Sequence, residues 1–294
     1  MKTVNTPILQ IAYEEAGPPD GQPVLLLHGW PYDIHAFDAV VPTLAQAGHR
    51  VIVPYLRGFG PTRFLSEATP RSGEQAALGA DALALMDALA LPSAVLAGYD
   101  WGGRAACVVA ALWPDRVHGL ISVGGYNIQD IAGSVVPAAP EQELRHWYQY
   151  YFHGERGRAG LAAHRRAFCR LLWRLWSPSW AFDDATFERT AAAFDNPDFV
   201  DVTVQSYRHR FGYAPGDPAL EAVERRLAQQ PAIGVPTVVL HGEDDGVAPA
   251  SQSEQAARHF TGPYVRQVVP GVGHNLPQEA PGSFALAVLS LFSR

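Results

Sequence analysis

Lysine is nearly missing from this sequence: of 22 basic residues only Lys2 is a lysine, and it stands at the N-terminus. A pyridoxal-phosphate enzyme or Schiff-base aldolase needs an internal lysine, and a P-loop needs one after its glycines, so these chemistries are excluded. Cysteine is almost as scarce. Cys107 and Cys169 cannot build a disulfide framework and fall in no C-x-x-C or metal-ligand spacing, so both are expected as small buried apolar side chains. No run of 18 apolar residues occurs, and the opening MKTVNTPILQIAYEEAG has no continuous apolar segment of the secretory kind. No membrane span is therefore expected, and the default location is the cytoplasm. Positive charge is also short, with a net charge of -7. Seven arginines lie between Arg145 and Arg174, but a polyanion footprint needs a basic balance over the domain, so they are read as a solvated helix face and no nucleic-acid partner is expected.

What is present in the 294 residues is a 48% hydrophobic chain with an alternating rhythm. Short apolar or β-branched runs at 24–27, 50–55, 94–98 and 120–123 read as buried strands. Helical spacing separates them at 37–45, 74–90 and 101–113, the last closed by Pro114. Strand and helix in alternation imply a mostly parallel sheet covered by helices on both faces. From about Tyr126 the texture changes to Trp, Tyr, Phe and Arg with few β-branched runs. The rhythm resumes with strands at 235–241 and 264–269 and helices at 251–260 and 281–292. The expected organisation is one α/β core, residues 1–129 and 229–294, interrupted by a helical cap at 130–228.

Four elements carry chemistry. Gly98-Tyr99-Asp100-Trp101-Gly102 lies between a predicted strand and a predicted helix, the shape of a tight turn that exposes its central residue as a nucleophile. Gly242-Glu243-Asp244-Asp245 follows the strand at 235–241, where open α/β sheets place functional acids, and charge alone leaves all three acids open. Gly271-Val272-Gly273-His274 follows the next strand. The order nucleophile, acid, histidine, each after its own strand, singles His274 out from the 11 histidines. Finally, His28-Gly29-Trp30-Pro31 ends an early strand, from which the Trp30 N–H can join that of Trp101 in an oxyanion hole, with His28 structural.

On these motifs the chain resembles the α/β-hydrolase fold superfamily over nearly its whole length, and its aspartate elbow is similar to those of epoxide hydrolases and haloalkane dehalogenases. The resemblance implies Asp245 as the acid, hence a triad of Asp100, Asp245 and His274, with no metal and no cofactor. A carboxylate can displace a leaving group from sp³ carbon, leaving an enzyme ester that water hydrolyses with His274 as base. Activity is therefore expected to fall on acidification near the ordinary histidine value, about 6.5.

Epoxide hydrolases of this kind use two cap tyrosines to protonate the ring oxygen. Tyr148 in Trp147-Tyr148-Gln149-Tyr150-Tyr151-Phe152 resembles the first, with Tyr150 or Tyr151 in its place if the register shifts, and Tyr207 before Arg208 resembles the second. Trp30, Trp101 and Tyr150 are expected to contact a small, apolar electrophile, water being the second reactant. Arg104 matches the second of two arginines found in fluoroacetate dehalogenases, but Trp101 stands at the first, which argues against a carboxylate-binding pocket. Epoxide opening is the main expectation. Haloalkane dehalogenation with Trp101 as halide donor is the alternative, and a non-catalytic binding protein on the same fold a second one.

Overall fold

The computed structural model describes residues 1–292; the last two residues of the expected C-terminal core segment lie outside the described residues. The chain forms β1 (Lys2–Asn5), β2 (Leu9–Ala16), β3 (Pro23–Leu27), β4 (Arg50–Pro54), β5 (Arg63–Phe64), β6 (Ala94–Gly98), β7 (Val117–Val123), β8 (Thr237–Gly242) and β9 (Tyr264–Val269). Among the described residues these make one sheet in the order β1-β2-β4-β3-β6-β7-β8-β9, with β5 paired to β2. From β4 to β9 every pairing is parallel. Strands β6 and β8 are buried at every residue, as a sheet covered on both faces requires. The covering helices include Gln75–Ala88, packed on Asp100–Leu112, and Pro281–Ser290, packed near Val41–Gln46.

Two local expectations need correction. The N-terminal strands β1 and β2, antiparallel to each other, were not read from the sequence, although Leu9, Ile11 and Tyr13 alternate as a half-buried strand does. The helix expected at 37–45 splits into a 3-10 turn, Ile34–Phe37, opened by the Asp33 carboxylate accepting from the His35 N–H, and a short helix, Val41–Gln46, with Pro42 in its first turn. Proline cannot donate the backbone bond that would join them.

The order of strands reverses at β3, which pairs with β4 on one side and β6 on the other. Such a switch point opens a crevice at the C-terminal ends of the strands, and the loops after β3 and β6 carry Trp30 and Asp100 into it. Asp81, which interrupts an apolar helix, is explained by Arg57: the guanidinium donates from Nε and Nη2 to the two carboxylate oxygens at 2.6 and 2.7 Å in a buried pair. Cys107 and Cys169 are both free and buried.

Between β7 and β8 the described chain forms only helices and 3-10 turns, among them Trp147–Tyr151, Glu155–Trp176 and Phe199–His209. The arginine-rich helix Glu155–Trp176 spends its charges on neighbours: Arg158 pairs with Asp201, Arg166 with Glu188 and Asp195, and Arg170 with Asp184. This helical segment is fastened to the loop after β3. The Trp173 indole N–H donates to the Pro31 carbonyl at 2.8 Å, and that of Trp30 to the Thr203 hydroxyl at 2.8 Å. The fully buried Trp30 ring is packed among Tyr148, Phe152, Trp176, Phe199 and Tyr207, so its side chain is a rivet between the sheet and the helices.

Candidate active site

Asp100 opens the helix that follows β6 and has φ of 51°, a left-handed conformation that strains a residue with a side chain. The turn is tight enough that a Cβ on Gly98 would lie 2.5 Å from the Gly102 backbone, and one on Gly102 would lie 2.0 Å from the Leu27 carbonyl oxygen. Only glycine fits at both positions, which is the physical reason for the spacing around Asp100. The strained turn aims the carboxylate at the crevice. Its Oδ1 accepts two backbone N–H groups, from Trp30 at 2.7 Å and from Trp101 at 2.6 Å, and its Oδ2 lies 3.5 Å from His274 Nε2.

His274 is reached from the loop after β9, and its Nδ1 is 2.9 Å from Asp245 Oδ2. Asp245 itself is held by the N–H groups of Val247 and Ala248, at 2.7 and 3.2 Å from Oδ1. Of the three acids after β8, Asp245 is therefore the one turned to the histidine, while Glu243 is exposed. Burial would lower the His274 pKa, but the carboxylates of Asp245 and Asp100 outweigh it and raise it to about 10. Burial would raise Asp100; the His274 imidazolium, the Arg104 charge and the Trp30 N–H hold it below the ordinary aspartate value. The resting site is thus a cation between two carboxylates.

His28 plays a different part. The Leu56 N–H donates to its Nε2 at 3.0 Å, so Nδ1 carries the proton and donates to the Gly29 carbonyl at 2.8 Å. Full burial lowers its pKa to about 4, and it is a neutral brace for the loop that presents Trp30. A second brace was not read from the sequence. The Ser177 hydroxyl, at the end of the helix Glu155–Trp176, accepts the His274 N–H at 3.1 Å and donates to Glu279 at 2.6 Å, and Glu279 accepts the N–H groups of Gly273 and Asn275. The helical segment therefore shapes the histidine loop, through a common serine with no motif to mark it.

A cavity of about 360 Å³ opens over the triad, lined in part by Asp100, His274, Tyr148, Gln149, Arg104 and Arg210. Tyr148 is buried, and its hydroxyl accepts from Gln149 at 3.0 Å and makes a hydrogen bond with Tyr207. Burial raises the Tyr148 pKa to about 12 and lifts that of Tyr207 well above the ordinary tyrosine value, so both hydroxyls keep their protons. Their rings meet edge to face at 5.4 Å. Tyr150 and Tyr151 are elsewhere: the Tyr150 hydroxyl donates to Glu143, and Tyr151 stacks on Phe168. Neither lines the cavity, which corrects the substrate contact expected of Tyr150. The side chains of Trp30 and Trp101 are likewise buried behind the wall, leaving their backbone N–H groups as the part that reaches Asp100. The indole N–H of Trp101 has no hydrogen-bond partner among the described residues. The lining is also more polar than the aromatic composition implies, because most of those rings pack on one another.

Among the described residues, Glu74, His209 and Glu224 approach one another closely enough to hold a cation, outside the cavity. Three of their four carboxylate oxygens accept bonds from the N–H groups of Asp217 and Ala76 and from Gln75, and the fourth, Glu74 Oε2, faces His209 Nε2 at 3.2 Å.

The sequence profile of the α/β hydrolase fold matches residues 22–281. A Mycobacterium tuberculosis protein named epoxide hydrolase A is 27% identical across 99% of this chain and 97% of its own length. A crystal structure of a Klebsiella pneumoniae protein, provisionally named an epoxide hydrolase, superposes with a TM-score of 0.97 at 48% identity, covering 100% of this chain and 97% of that one. A haloalkane dehalogenase of Mycobacterium marinum is 34% identical over 42% of this chain and 40% of its own.

Proposed function

The chain belongs to the α/β hydrolase fold family and is a hydrolase, and from that premise we propose that it opens an epoxide to a vicinal diol through an ester on Asp100, beneath a cap formed by residues 130–228. The observation that carries this reading is the buried, protonated hydroxyl of Tyr148 at the wall of a cavity whose floor is the Asp100 carboxylate, with the protonated hydroxyl of Tyr207 bonded to it from behind the wall. The name of the Mycobacterium tuberculosis relative and of the Klebsiella pneumoniae structure supports it.

The free oxygen of Asp100 attacks a ring carbon, the C–O bond of the ring breaks, and the leaving oxygen takes a proton from the tyrosine pair. The other oxygen, Oδ1, remains under the N–H groups of Trp30 and Trp101. Esterification removes the charge of Asp100, one of the groups that raises the His274 pKa, so the imidazolium releases its proton to solvent, to be recovered when Asp100 is ionised again, and the imidazole becomes a competent base only after the ester forms. His274 then takes a proton from water, the hydroxide adds to Cγ, and negative charge develops on Oδ1 between the same two donors. Collapse breaks the Cγ–O bond to the alkyl group. The departing alkoxide receives the proton from His274, and the carboxylic acid left on Asp100 releases one that restores the tyrosine. The sum is epoxide plus water to diol.

A second reading, displacement of halide, is favoured by one feature: the unpartnered Trp101 indole N–H beside the nucleophile. One experiment separates the two. A His274→Gln variant, incubated with styrene oxide or with 1-bromobutane, should hold the ester on Asp100. An intact-mass increase equal to the whole epoxide supports ring opening; an increase equal to the butyl group alone replaces it with dehalogenation.

A further inference from the structure

Two arginines enter the cavity without an acid to pair with. Arg104 is buried, and among the described residues its Nη1 has no partner and its Nε reaches only the Asn127 carbonyl at 3.4 Å. Arg210 donates from Nη1 to Gln149 at 3.1 Å and lies over the Tyr207 ring at 4.7 Å, while its Nε is buried and unpartnered. Neither makes an ion pair among the described residues, in contrast to Arg57 on Asp81, Arg71 on Asp198 and Arg208 on Glu155. Burial lowers the Arg104 pKa to about 10, and the neighbouring Arg210 charge adds to that.

Other charges around the cavity do not answer them. Asp245 is committed to His274, and Asp100 to His274 and two N–H groups. Asp130 lies exposed at the rim, and the burial of His146 beside Arg210 lowers its pKa to about 4, so it is neutral. Two like charges with unmet donors in a desolvated cavity are costly unless an anion comes between them.

We propose that Arg104 and Arg210 form a carboxylate-binding subsite, and that the substrate is a short epoxy acid with its carboxylate adjoining the ring. This deepens the epoxide reading and rests on it for the reacting group, though not for the anion. Position supplies the size. Arg104 is four residues past Asp100 on one helix, so it stands just over one turn, about 6 Å, further along it. Arg104 and Asp100 line one cavity of about 360 Å³, which suits a small acid whose carboxylate and reacting carbon are close together. Arg210 supplies the second guanidinium from the helical segment, which the sequence pattern around Trp101 gave no reason to expect.

The test uses unreactive and reactive pairs on the whole protein. By calorimetry at pH 7.5, cyclopropanecarboxylate should bind the wild type at least tenfold tighter than cyclopropanecarboxamide, its neutral isostere. Arg210→Gln should remove most of that preference, and Arg210→Lys should restore part of it. Equal affinities, or no binding of the carboxylate, overturn the proposal without reference to any variant's folding. Oxirane-2-carboxylate should likewise show a higher kcat/KM than oxirane-2-carboxamide. Selective binding of the cyclopropane acid with neither oxirane turned over would uphold the anion site and sink the epoxide reading. Equal turnover of both oxiranes with equal affinities would do the reverse.

Discussion

The floor and the roof of this cavity are built by different rules. On the sheet side every candidate site residue stands just past the C-terminal end of a strand and is set by backbone: Trp30 after β3, Asp100 after β6, Asp245 after β8, His274 after β9. On the helical side Tyr148, Tyr207 and Arg210 are set by side chains packing on side chains, with the Trp30 ring at the centre. The difference teaches where each kind of function resides. In the proposed reaction the backbone-defined floor would fix the chemistry, an attack by carboxylate and hydrolysis of the ester, while the packed roof would decide which leaving group and which substrate that chemistry receives.

The largest expected effect tests the floor. Asp100→Ala should leave the fold intact and lower turnover by roughly 10⁵-fold, the scale on which losing a covalent nucleophile acts. A single turnover by the wild type in ¹⁸O-water sharpens the point: the label should enter Asp100 and not the diol, because water attacks Cγ and the diol carries away an aspartate oxygen. Label in the diol would mean direct attack of water on the epoxide, and the floor would then be a base instead of a nucleophile.

The roof comes next. Replacing Tyr148 and Tyr207 together by phenylalanine should cut epoxide turnover by about 10²–10⁴-fold, the usual contribution of general acid catalysis. Undiminished kcat/KM in a folded double variant would remove both tyrosines from the reaction and shift attention to the Trp101 indole N–H.

The same division explains what was legible in the sequence. Asp100 was readable because its turn admits only glycine at Gly98 and Gly102, and His274 because it follows a strand in the right order. Spacing left Glu243, Asp244 and Asp245 open; the resemblance selected Asp245, and the N–H groups of Val247 and Ala248 are what hold it toward the histidine. Nothing comparable marks the roof. Tyr148 and Tyr150 are two residues apart on one short helix, and only packing turns the first to the cavity and the second to Glu143. Ser177, Glu279 and the orphan donors of Arg104 and Arg210 depend on contacts between segments far apart in the chain, which no local pattern records. The substrate contacts expected of the Trp30 and Trp101 rings differ for the same reason: both rings belong to the core that joins floor and roof.

That joint can be weakened on its own. In Thr203→Val the Trp30 indole N–H would be buried without its acceptor, a cost of about 1–3 kcal/mol. Denaturant unfolding should show it as a lower midpoint. If floor and roof are joined through Trp30, turnover should fall together with stability; a stability loss with turnover unchanged would mean that the roof keeps its place by other contacts.

The smallest effect is the most informative about how the floor works, because it separates two steps in the same residues. Against burial, the His274 cation and the Arg104 charge hold Asp100 below the ordinary aspartate value, and the two carboxylates raise His274 to about 10, so in the free protein the nucleophile is ionised and the histidine charged across neutral pH. Ester formation should therefore be nearly flat on acidification from pH 8 to pH 5. Ester hydrolysis needs the neutral imidazole, and in the ester the Asp100 charge that helped to raise its pKa is gone. That step should slow as pH falls through the lowered His274 value, approaching about tenfold per pH unit below it. The single fall near the ordinary histidine value expected from sequence thus becomes a property of one step. Rapid-quench mass measurements should find more ester on Asp100 at pH 5 than at pH 8, formed at the same rate. Parallel slowing of both steps would mean that His274 titrates independently of the Asp100 charge, and the electrostatic switch between the steps would be lost.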